Sequence, residues 1–282
     1  MTANERQLFL FAAFSGHFPG VVSQLKLHPE LDVNWADDDQ RTALHYACWN
    51  GHAELVKFLL GHPNIYVNVK TTNGSTPISL GCRFGGLSVV RVLLKDPRVE
   101  LQHCDSHGRS TLWWISREGN HEVIEYLLAS GKELEDFERL RGMHVDDGKD
   151  YTALEIAREK NNTGTASLLE RFAINPALTR HELRVKLGMV AELAAEVFAL
   201  TVFLCDGLLQ LKPPPLAAAS TPTDAVVGDV LRFFTIAAKL PLELQMILCY
   251  RTVGSKKQSI LHRESEVAFK SLAKILLSSK QA

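Results

Sequence analysis

The sequence has almost no excess of charge of either sign. Its 282 residues include 31 basic and 32 acidic side chains, which gives a formal net charge of −1. Proteins that bind nucleic acids or anionic membrane surfaces are drawn to them by a strong positive field. We therefore expect neither nucleic acid nor a membrane among the partners of this protein.

Cysteine is scarce and shows no pairing pattern. The chain has five cysteines, an odd number, and no C-x-x-C motif. Disulfide frameworks of secreted domains use an even number at close spacings, so this pattern indicates reduced thiols. The first residues, MTANERQ, also lack the basic and apolar regions of a secretory signal. We expect the protein in the cytoplasm or the nucleus.

Long hydrophobic runs and catalytic motifs are missing as well. The most apolar run, Val197–Cys205, is far shorter than the roughly 20 residues that a membrane-spanning helix needs. The sequence contains no G-x-x-x-x-G-K-[ST], H-E-x-x-H or G-x-S-x-G motif. We expect no enzymatic activity, no cofactor and no small-molecule substrate.

What the sequence does have is an internal repeat. The stretch from Thr42 to Leu60 returns in altered form at Thr76 and again at Ser110, each time 34 residues later. A further copy begins at Thr152, and residues 5–34 are similar to an atypical first copy. A fixed period in the thirties is typical of a solenoid built from stacked supersecondary units.

Each copy has the pattern of two helices joined by a turn. In the clearest copy, Thr42 is a suitable N-cap, and Leu44 and Ala47 follow at helical spacing. Gly51 then provides a helix stop, where a positive φ is favoured. In the first copy, the predicted apolar face of a helix consists of Leu8, Phe11, Ala12 and Ala13.

The step to the last copy is eight residues longer than the others. The surplus lies in residues 133–150, which are rich in charged side chains. Because insertions in repeat arrays map to loops, often on the binding side, we predict a loop there.

Several positions of this repeat resemble the ankyrin repeat, over about residues 5–172. The matching segments are Thr42-Ala43-Leu44-His45, Gly51-His52, Val67-Asn68, Thr76-Pro77-Ile78 and Asp105-Ser106-His107-Gly108. The chain departs from the pattern at Gln40, where the hairpin glycine is usual. The resemblance implies an all-α solenoid of helix–turn–helix repeats joined by β-hairpin-like loops, with about five repeats in residues 1–172. It also implies that His45 bonds to the backbone of the neighbouring loop.

Ligand-type residues come close together in the segment from His103 to His107. Zinc sites usually draw on paired clusters of ligands, and the sequence offers no second cluster. The segment falls on a hairpin between repeats, so we predict a solvated turn and no metal site.

The remaining residues, 173–282, read as a helical region with a flexible linker near 212–224. Predicted helices cover Thr179–Leu187, Val190–Leu211, a segment from Asp224, Pro241–Arg251 and a segment from Ser265. The linker is rich in proline and alanine. We expect these helices to form a cap on the end of the solenoid.

The resemblance to ankyrin repeats implies a non-enzymatic scaffold that binds a protein through its concave face. That face is built from hairpin tips and from inner-helix residues just before the turn. Trp, Phe and Arg at those positions are residue types enriched at interface hot spots. Trp113 and Trp114 are predicted to lie in the core or to face the cap. The predicted binding residues are Arg41, Trp49, Asn50, Arg83, Phe84, Arg109, Arg117 and Glu118.

A second functional interpretation rests on residues 239–251. The segment K-L-P-L-E-L-Q-M-I-L resembles the opening of an F-box and, more loosely, the second half of a SOCS box. Those families recruit ubiquitin-ligase subunits through such helices, which would make the chain a substrate adaptor. If this helix recruits a subunit, Leu244 and Leu248 should be exposed together.

Overall fold

The protein was analysed as a computed structural model that describes residues 3–134, 136–205, 233–234, 236–237, 240, 242–253, 260, 265–270 and 272. The chain divides into two compact units, residues 1–183 and 184–282. The sequence placed the corresponding boundary between residues 172 and 173.

The first unit consists of successive helix pairs, which confirms the predicted all-α repeat fold. The first helix of each pair is the inner helix, and the second is the outer helix. The pairs are α1 (Ala3–Phe14) and α2 (Phe18–Leu27), α3 (Ala43–Trp49) and α4 (Ala53–Leu60), α5 (Pro77–Leu80) and α6 (Gly86–Lys95), α7 (Thr111–Glu118) and α8 (His121–Ser130), and α9 (Ala153–Glu159) and α10 (Thr163–Ile174).

The inner helices α3, α5, α7 and α9 begin where the sequence predicts. Thr42, Thr76, Ser110 and Thr152 each adopt an extended backbone, and each hydroxyl accepts a hydrogen bond from the amide three residues later. This satisfies one of the amides that a helix start leaves without a partner. The recurring Thr or Ser therefore sets the register of the array.

Hairpin loops precede these inner helices and are joined to one another by backbone hydrogen bonds. The amide of Thr72 donates to the carbonyl of Asp39, and the amide of Ser106 donates to the carbonyl of Asn73, each over 3.0 Å. The amide of Met143 continues the series by donating to His107. Successive repeats are thus held in register along their hairpins as well as through their helices.

His45 confirms the structural role that the resemblance implies. Its side chain is fully buried, and its Nε2 donates to the carbonyl oxygen of Val69, 3.0 Å away. Trp113 stands at the same position two repeats later, and its indole Nε1 donates to the carbonyl oxygen of Tyr151 over 3.0 Å. The tryptophan therefore replaces the histidine as the donor to the next loop, which explains why Trp113 is buried.

The turn of the third pair differs from the others. After α5, residues Gly81–Gly85 form a π-helical turn, and the positive φ of 75° falls on Gly86. In the neighbouring repeats the positive φ falls one residue earlier in the repeat, at Gly51 and Gly119. A π turn accommodates one extra residue, which moves the positive φ from the position of Gly85 to Gly86.

The helical run Pro77–Lys95 is long and apolar enough to cross a membrane, by length and composition alone. It is the one such run among the residues that the structure describes. The run contains α5, the π turn and α6, and 61% of its most apolar window is buried inside the protein.

The orientation of α1 differs from the prediction. The sequence grouped Leu8 and Phe11 with the buried face, but their side chains are 48% and 65% exposed. Ala12 and Ala13 are buried as predicted, and Phe9 and Leu10 are buried in addition. The buried face of α1 is therefore rotated about the helix axis from the predicted one, away from Leu8 and Phe11.

The insertion before α9 is more ordered than the predicted loop. It forms an antiparallel hairpin of β1 (Gly142–His144) and β2 (Lys149–Tyr151), in which Met143 pairs with Asp150. The hydroxyl of Tyr151 donates to Asp147, and this bond is the largest cause that lowers the pKa of the Asp147 carboxyl to about 2.

A helix that the sequence started at Thr179 begins earlier. Helix α11 spans Pro176–Lys186, and the side chain of Asn175 accepts from the amide of Leu178. The sequence prediction placed the N-cap at Thr179, whereas Asn175 is the residue that caps the helix. Pro176 then occupies the first turn, a position that proline suits. Gly188, with a φ of 70°, follows the end of this helix.

The second unit contains α12 (Met189–Cys205) and α13 (Leu242–Thr252), packed on each other. Their shared core includes Phe198, Cys249 and Tyr250. Residues 265–270 are also helical. The last residues of the predicted helix Val190–Leu211, the predicted linker at 212–224 and the first part of the helix predicted from Asp224 lie outside the described residues.

Candidate functional site

The predicted binding residues lie at the ends of the inner helices and in the adjoining hairpins. Trp49 is the last residue of α3, and Asn50 is its C-cap, with an exposed side chain. Arg83 and Phe84 belong to the π turn, and Glu118 is the last residue of α7. Arg41 and Arg109 lie in the hairpins, directly before the N-caps of α3 and α7.

Two of these residues form a stacked aromatic pair across neighbouring repeats. The ring centroids of Trp49 and Phe84 are 5.4 Å apart, and their planes differ by 20°. The guanidinium of Arg41 lies 5.3 Å from the centre of the Trp49 ring, and that of Arg83 lies 4.5 Å from Phe84. Aromatic rings attract cations over their faces, so this contact is favourable.

Trp114 continues the series and lies in the core as predicted, in a cluster with Trp113 and Ile156. Its ring is only 6% exposed, because three arginine side chains surround it. The guanidinium carbons of Arg83, Arg109 and Arg117 lie 3.4, 4.4 and 5.7 Å from its ring centre. Its indole Nε1 also donates to Asp105. A tryptophan surrounded by arginines cannot be recognised from sequence spacing, because the arginines come from three different places in the chain.

We call this set of side chains the arginine–aromatic strip. It crosses the second, third and fourth repeats without a break. Its members are Arg41, Trp49, Arg83, Phe84, Arg109, Trp114 and Arg117.

Arg109 has a different place in the strip from the one expected. Its side chain is only 11% exposed, and its Nε donates to Asp105 over 2.8 Å. The carboxylate of Asp105 also accepts from two hairpin amides, so Arg109 is tied to the frame of the hairpin. It positions the ring of Trp114 and offers little surface of its own.

Ion pairs lie at the end of the strip that the fourth repeat forms. Glu118 accepts from Arg83 over 3.3 Å and from Arg117 over 2.7 Å. Asp146, in the inserted hairpin, lies 3.9 Å from Arg117 and 3.8 Å from Lys160. The inserted hairpin therefore borders the strip.

An open cleft of about 470 Å³ adjoins the strip at the first two repeats. Arg41 and Trp49 belong to both, so the strip and the cleft are continuous. Phe14 meets Tyr46 edge-to-face, with ring centroids 5.7 Å apart. The cleft lining consists of Gln7, Leu10, Phe11, Phe14, Trp35, Asp37, Asp38, Arg41, Tyr46 and Trp49.

Tyr46 and Asp37 form a polar contact within the cleft wall. The Tyr46 hydroxyl donates to Oδ2 of Asp37, while Oδ1 of Asp37 accepts from the amides of Asp39 and Arg41. Burial, followed by this hydrogen bond, raises the pKa of Tyr46, so the hydroxyl keeps its proton and remains a donor. The carboxylate of Asp37 is thereby fixed in place at the cleft.

Within the described ranges, no group of three or more His, Cys, Asp and Glu side chains is arranged to hold a metal ion. The segment from His103 to His107 has other contacts. His103 lies 3.0 Å from Glu100, and Asp105 holds the hairpin.

Comparison with known families identifies the repeats. Residues 8–103, about a third of the chain, match the family model of ankyrin repeats, with three copies. These residues are therefore similar to ankyrin repeats. Ankyrin repeats generally mediate protein–protein interaction, which supports a protein as partner. No curated protein matches the chain.

The ankyrin match includes part of the strip. Arg41, Trp49, Arg83 and Phe84 lie within the matched residues, whereas Trp114 and its other arginines lie beyond them. The capped inner helices α7 and α9 and their outer helices continue the same pattern past residue 103. The strip therefore extends along the helix pairs beyond the residues that match the family model.

In the second unit, the helix that prompted the adaptor interpretation is mixed in its exposure. Leu242 and Leu244 of α13 are 53% and 47% exposed, whereas Leu248 is partly buried and Cys249 and Tyr250 are fully buried. Subunit recruitment was expected to require that Leu244 and Leu248 be exposed together. Leu244 is exposed, but Leu248 is partly buried.

Proposed function

We propose that this protein is a non-enzymatic interaction scaffold, which binds a protein partner through the concave surface of its ankyrin stack. The arginine–aromatic strip is the proposed contact surface. Ankyrin repeats are typically non-enzymatic, and the histidine most suited to be a base, His45, is buried in a structural hydrogen bond.

A single observation carries the proposal: the strip is continuous across three repeats. Phe84 is 45% exposed although it stacks on Trp49, and the side chains of Arg41, Arg83 and Arg117 are each about a quarter exposed. Aromatic and arginine side chains held rigidly in one row lose little conformational entropy on binding. They therefore favour affinity more than the same residues scattered over a surface.

The adaptor alternative has less support. Leu248 is partly buried against its own unit, and the likeness to an F-box rests on about ten residues. For the location of the protein we propose the cytoplasm or the nucleus, since Cys48, Cys82, Cys104 and Cys249 are all free thiols.

The test is affinity capture from cell lysate with the full chain and with the double variant Trp49→Ala/Arg83→Ala. A matched control removes one aromatic and one arginine elsewhere: Tyr66→Ala/Arg139→Ala, whose side chains are strongly exposed and outside the strip. Circular dichroism and thermal unfolding must first show that both variants are folded.

We expect wild type and control to capture the same protein, and the strip variant to lose it by about tenfold or more, as for a hot-spot pair. If the strip variant captures that protein as well as the control does, the strip is not the contact surface. In that case the contact surface would be sought in the inserted hairpin and in residues 184–282.

A further inference from the structure

The cleft beside Trp49 combines aromatic walls with carboxylates that lack a cationic partner. We propose that this cleft receives an arginine side chain of the bound protein. This inference rests on the proposed function, because it specifies the chemistry of the partner at one end of the same surface.

The charges that face the cleft favour a cation. Among the described residues, neither Asp37 nor Asp38 forms an ion pair. The lining contains one basic residue, Arg41, whose guanidinium already pairs with Asp39 over 3.0 Å. A second arginine, Arg6, lies over the ring of Trp35 and forms no ion pair with Asp37 or Asp38. The two carboxylates of the cleft are therefore available to a cation of the partner.

Asp37 and Asp38 differ in a way that suits binding. The three hydrogen bonds to Asp37 hold its carboxylate in the cleft wall. Asp38 has an exposed side chain and no hydrogen bond among the described residues. A fixed carboxylate and a free one beside it can both approach one guanidinium, which offers five N–H donors in a planar fork.

The aromatic rings of the cleft add a second requirement. Phe11, Phe14, Trp35, Tyr46 and Trp49 line it, and Phe11 is 65% exposed. A guanidinium stacks on such faces more readily than a strongly hydrated ammonium does. The chain itself shows this preference, since Arg6 lies 6.0 Å over Trp35 and Arg41 lies 5.3 Å over Trp49.

The size of the cleft also fits a side chain. Its volume of about 470 Å³ lies within the range of roughly 300–1,000 Å³ that small-ligand sites occupy. It opens onto the strip through Trp49. A peptide that inserts one arginine can therefore continue along Phe84 and Arg83.

The experiment is selection of a random peptide library displayed on phage against the full chain. The enriched peptides are then synthesised, and their affinity is measured by the fluorescence of the cleft tryptophans. For each peptide, the arginine is also replaced by lysine and by glutamine. The protein variants are Asp38→Asn and Phe11→Ala, which remove exposed groups without a hydrogen bond. Glu138→Gln, an exposed carboxylate in the distant loop before β1, is the matched control.

We expect an arginine at one position of the enriched peptides. Asp38→Asn should weaken binding about twofold to fivefold, as for an exposed ion pair, and Glu138→Gln should leave it unchanged. Replacing the peptide arginine by glutamine should weaken binding about tenfold or more, and lysine should lie between the two. Added salt should reduce the affinity.

Three results would overturn the inference. Enriched peptides without a basic residue would show that the cleft does not select a cation. Equal affinity for the arginine and lysine peptides would show that the cleft does not recognise the guanidinium group. Binding that responds to Trp49→Ala/Arg83→Ala but not to Asp38→Asn or Phe11→Ala would retain the strip as an interface and exclude the cleft. The last result separates failure of this inference from failure of the proposed function.

Discussion

The indole of Trp49 stacks on the phenyl ring of Phe84, although the two residues belong to different repeats. Trp49 ends a regular α-helix, whereas Phe84 lies in a π-helical turn. The ring that stacks on Trp49 is thus supplied by the irregular turn. The irregular turn and the continuous strip are therefore two parts of one arrangement.

This pair can be measured by a double-mutant cycle. We expect Phe84→Ala to lower the free energy of unfolding by about 1 kcal/mol, because its ring is half exposed. The coupling between Trp49→Ala and Phe84→Ala should be about 0.5–1.5 kcal/mol, the range for aromatic pairs. Urea denaturation of the four proteins supplies the cycle. A coupling of zero would mean that the two rings do not interact in solution.

Gln40 occupies a backbone conformation that suits glycine. Its φ is 59°, and the equivalent residues of the next two hairpins are Gly74 and Gly108, with φ of 78° and 73°. A left-handed conformation costs an ordinary residue about 1–2 kcal/mol. Gln40→Gly should therefore raise the stability by about 0.5–1 kcal/mol, after the greater freedom of glycine in the unfolded chain is subtracted.

The opposite change serves as the control for that prediction. Gly74→Ala introduces a Cβ at 3.0 Å from the Cα of Asp105, in addition to the strained φ. It should destabilise the protein by about 1 kcal/mol or more. The denaturant midpoint of each variant is compared with that of the wild type. A loss of stability in Gln40→Gly would contradict the assignment of strain to Gln40.

Gly85 and Gly86 are required for different reasons. A Cβ on Gly85 would lie 2.1 Å from the carbonyl oxygen of Cys48, whereas a Cβ on Gly86 meets nothing within 4 Å. Gly86 instead has a φ of 75°. We expect Gly85→Ala to cost about 3 kcal/mol or more, since two repeats must separate, and Gly86→Ala about 1 kcal/mol. Thermal unfolding of the two variants checks which one loses more stability. A smaller loss in Gly85→Ala than in Gly86→Ala would show that the repeats pack less closely at Gly85.

His45 makes the stability of the array depend on pH. Burial lowers the pKa of its imidazole from 6.5 to about 4. The backbone amide of Thr42 donates to Nδ1 of His45, while Nε2 donates to Val69, so the neutral ring uses both nitrogens. A proton on Nδ1 would remove the acceptor for Thr42.

The direction of the pH effect follows from proton binding. Between about pH 6.5 and pH 4 the unfolded chain binds a proton at this histidine and the folded chain does not. Stability should therefore be complete above about pH 6.5 and fall by about 3 kcal/mol as the pH approaches 4. In His45→Gln this part of the pH dependence should vanish, whereas exposed His17→Gln should keep it. An unchanged profile in His45→Gln would assign the effect to other groups.

Much of the fold could be predicted because its signals are local. The Thr or Ser N-caps and the period of 34 residues fix where each inner helix begins, and both were read directly from the sequence. The structural role of His45 followed from the family resemblance. These features depend on a few neighbouring residues and recur in phase.

The features that were missed depend on contacts between distant parts of the chain. Phe11 was grouped by its spacing with Ala12 and Ala13, but only the two alanines are buried. Trp114 reads as a core residue, and only the structure shows three arginines around it. The cleft joins α1 to the first hairpin, which sequence spacing does not reveal.

The central claim is that a protein partner binds along the arginine–aromatic strip. The most direct measurement is hydrogen–deuterium exchange of the full chain, with and without the protein that wild type captures and the strip variant does not. We predict slower exchange in the hairpin before α3, at the end of α3, in the π turn and in α7. Protection confined to the outer helices α4, α6 and α8, or to residues 184–282, would contradict the account.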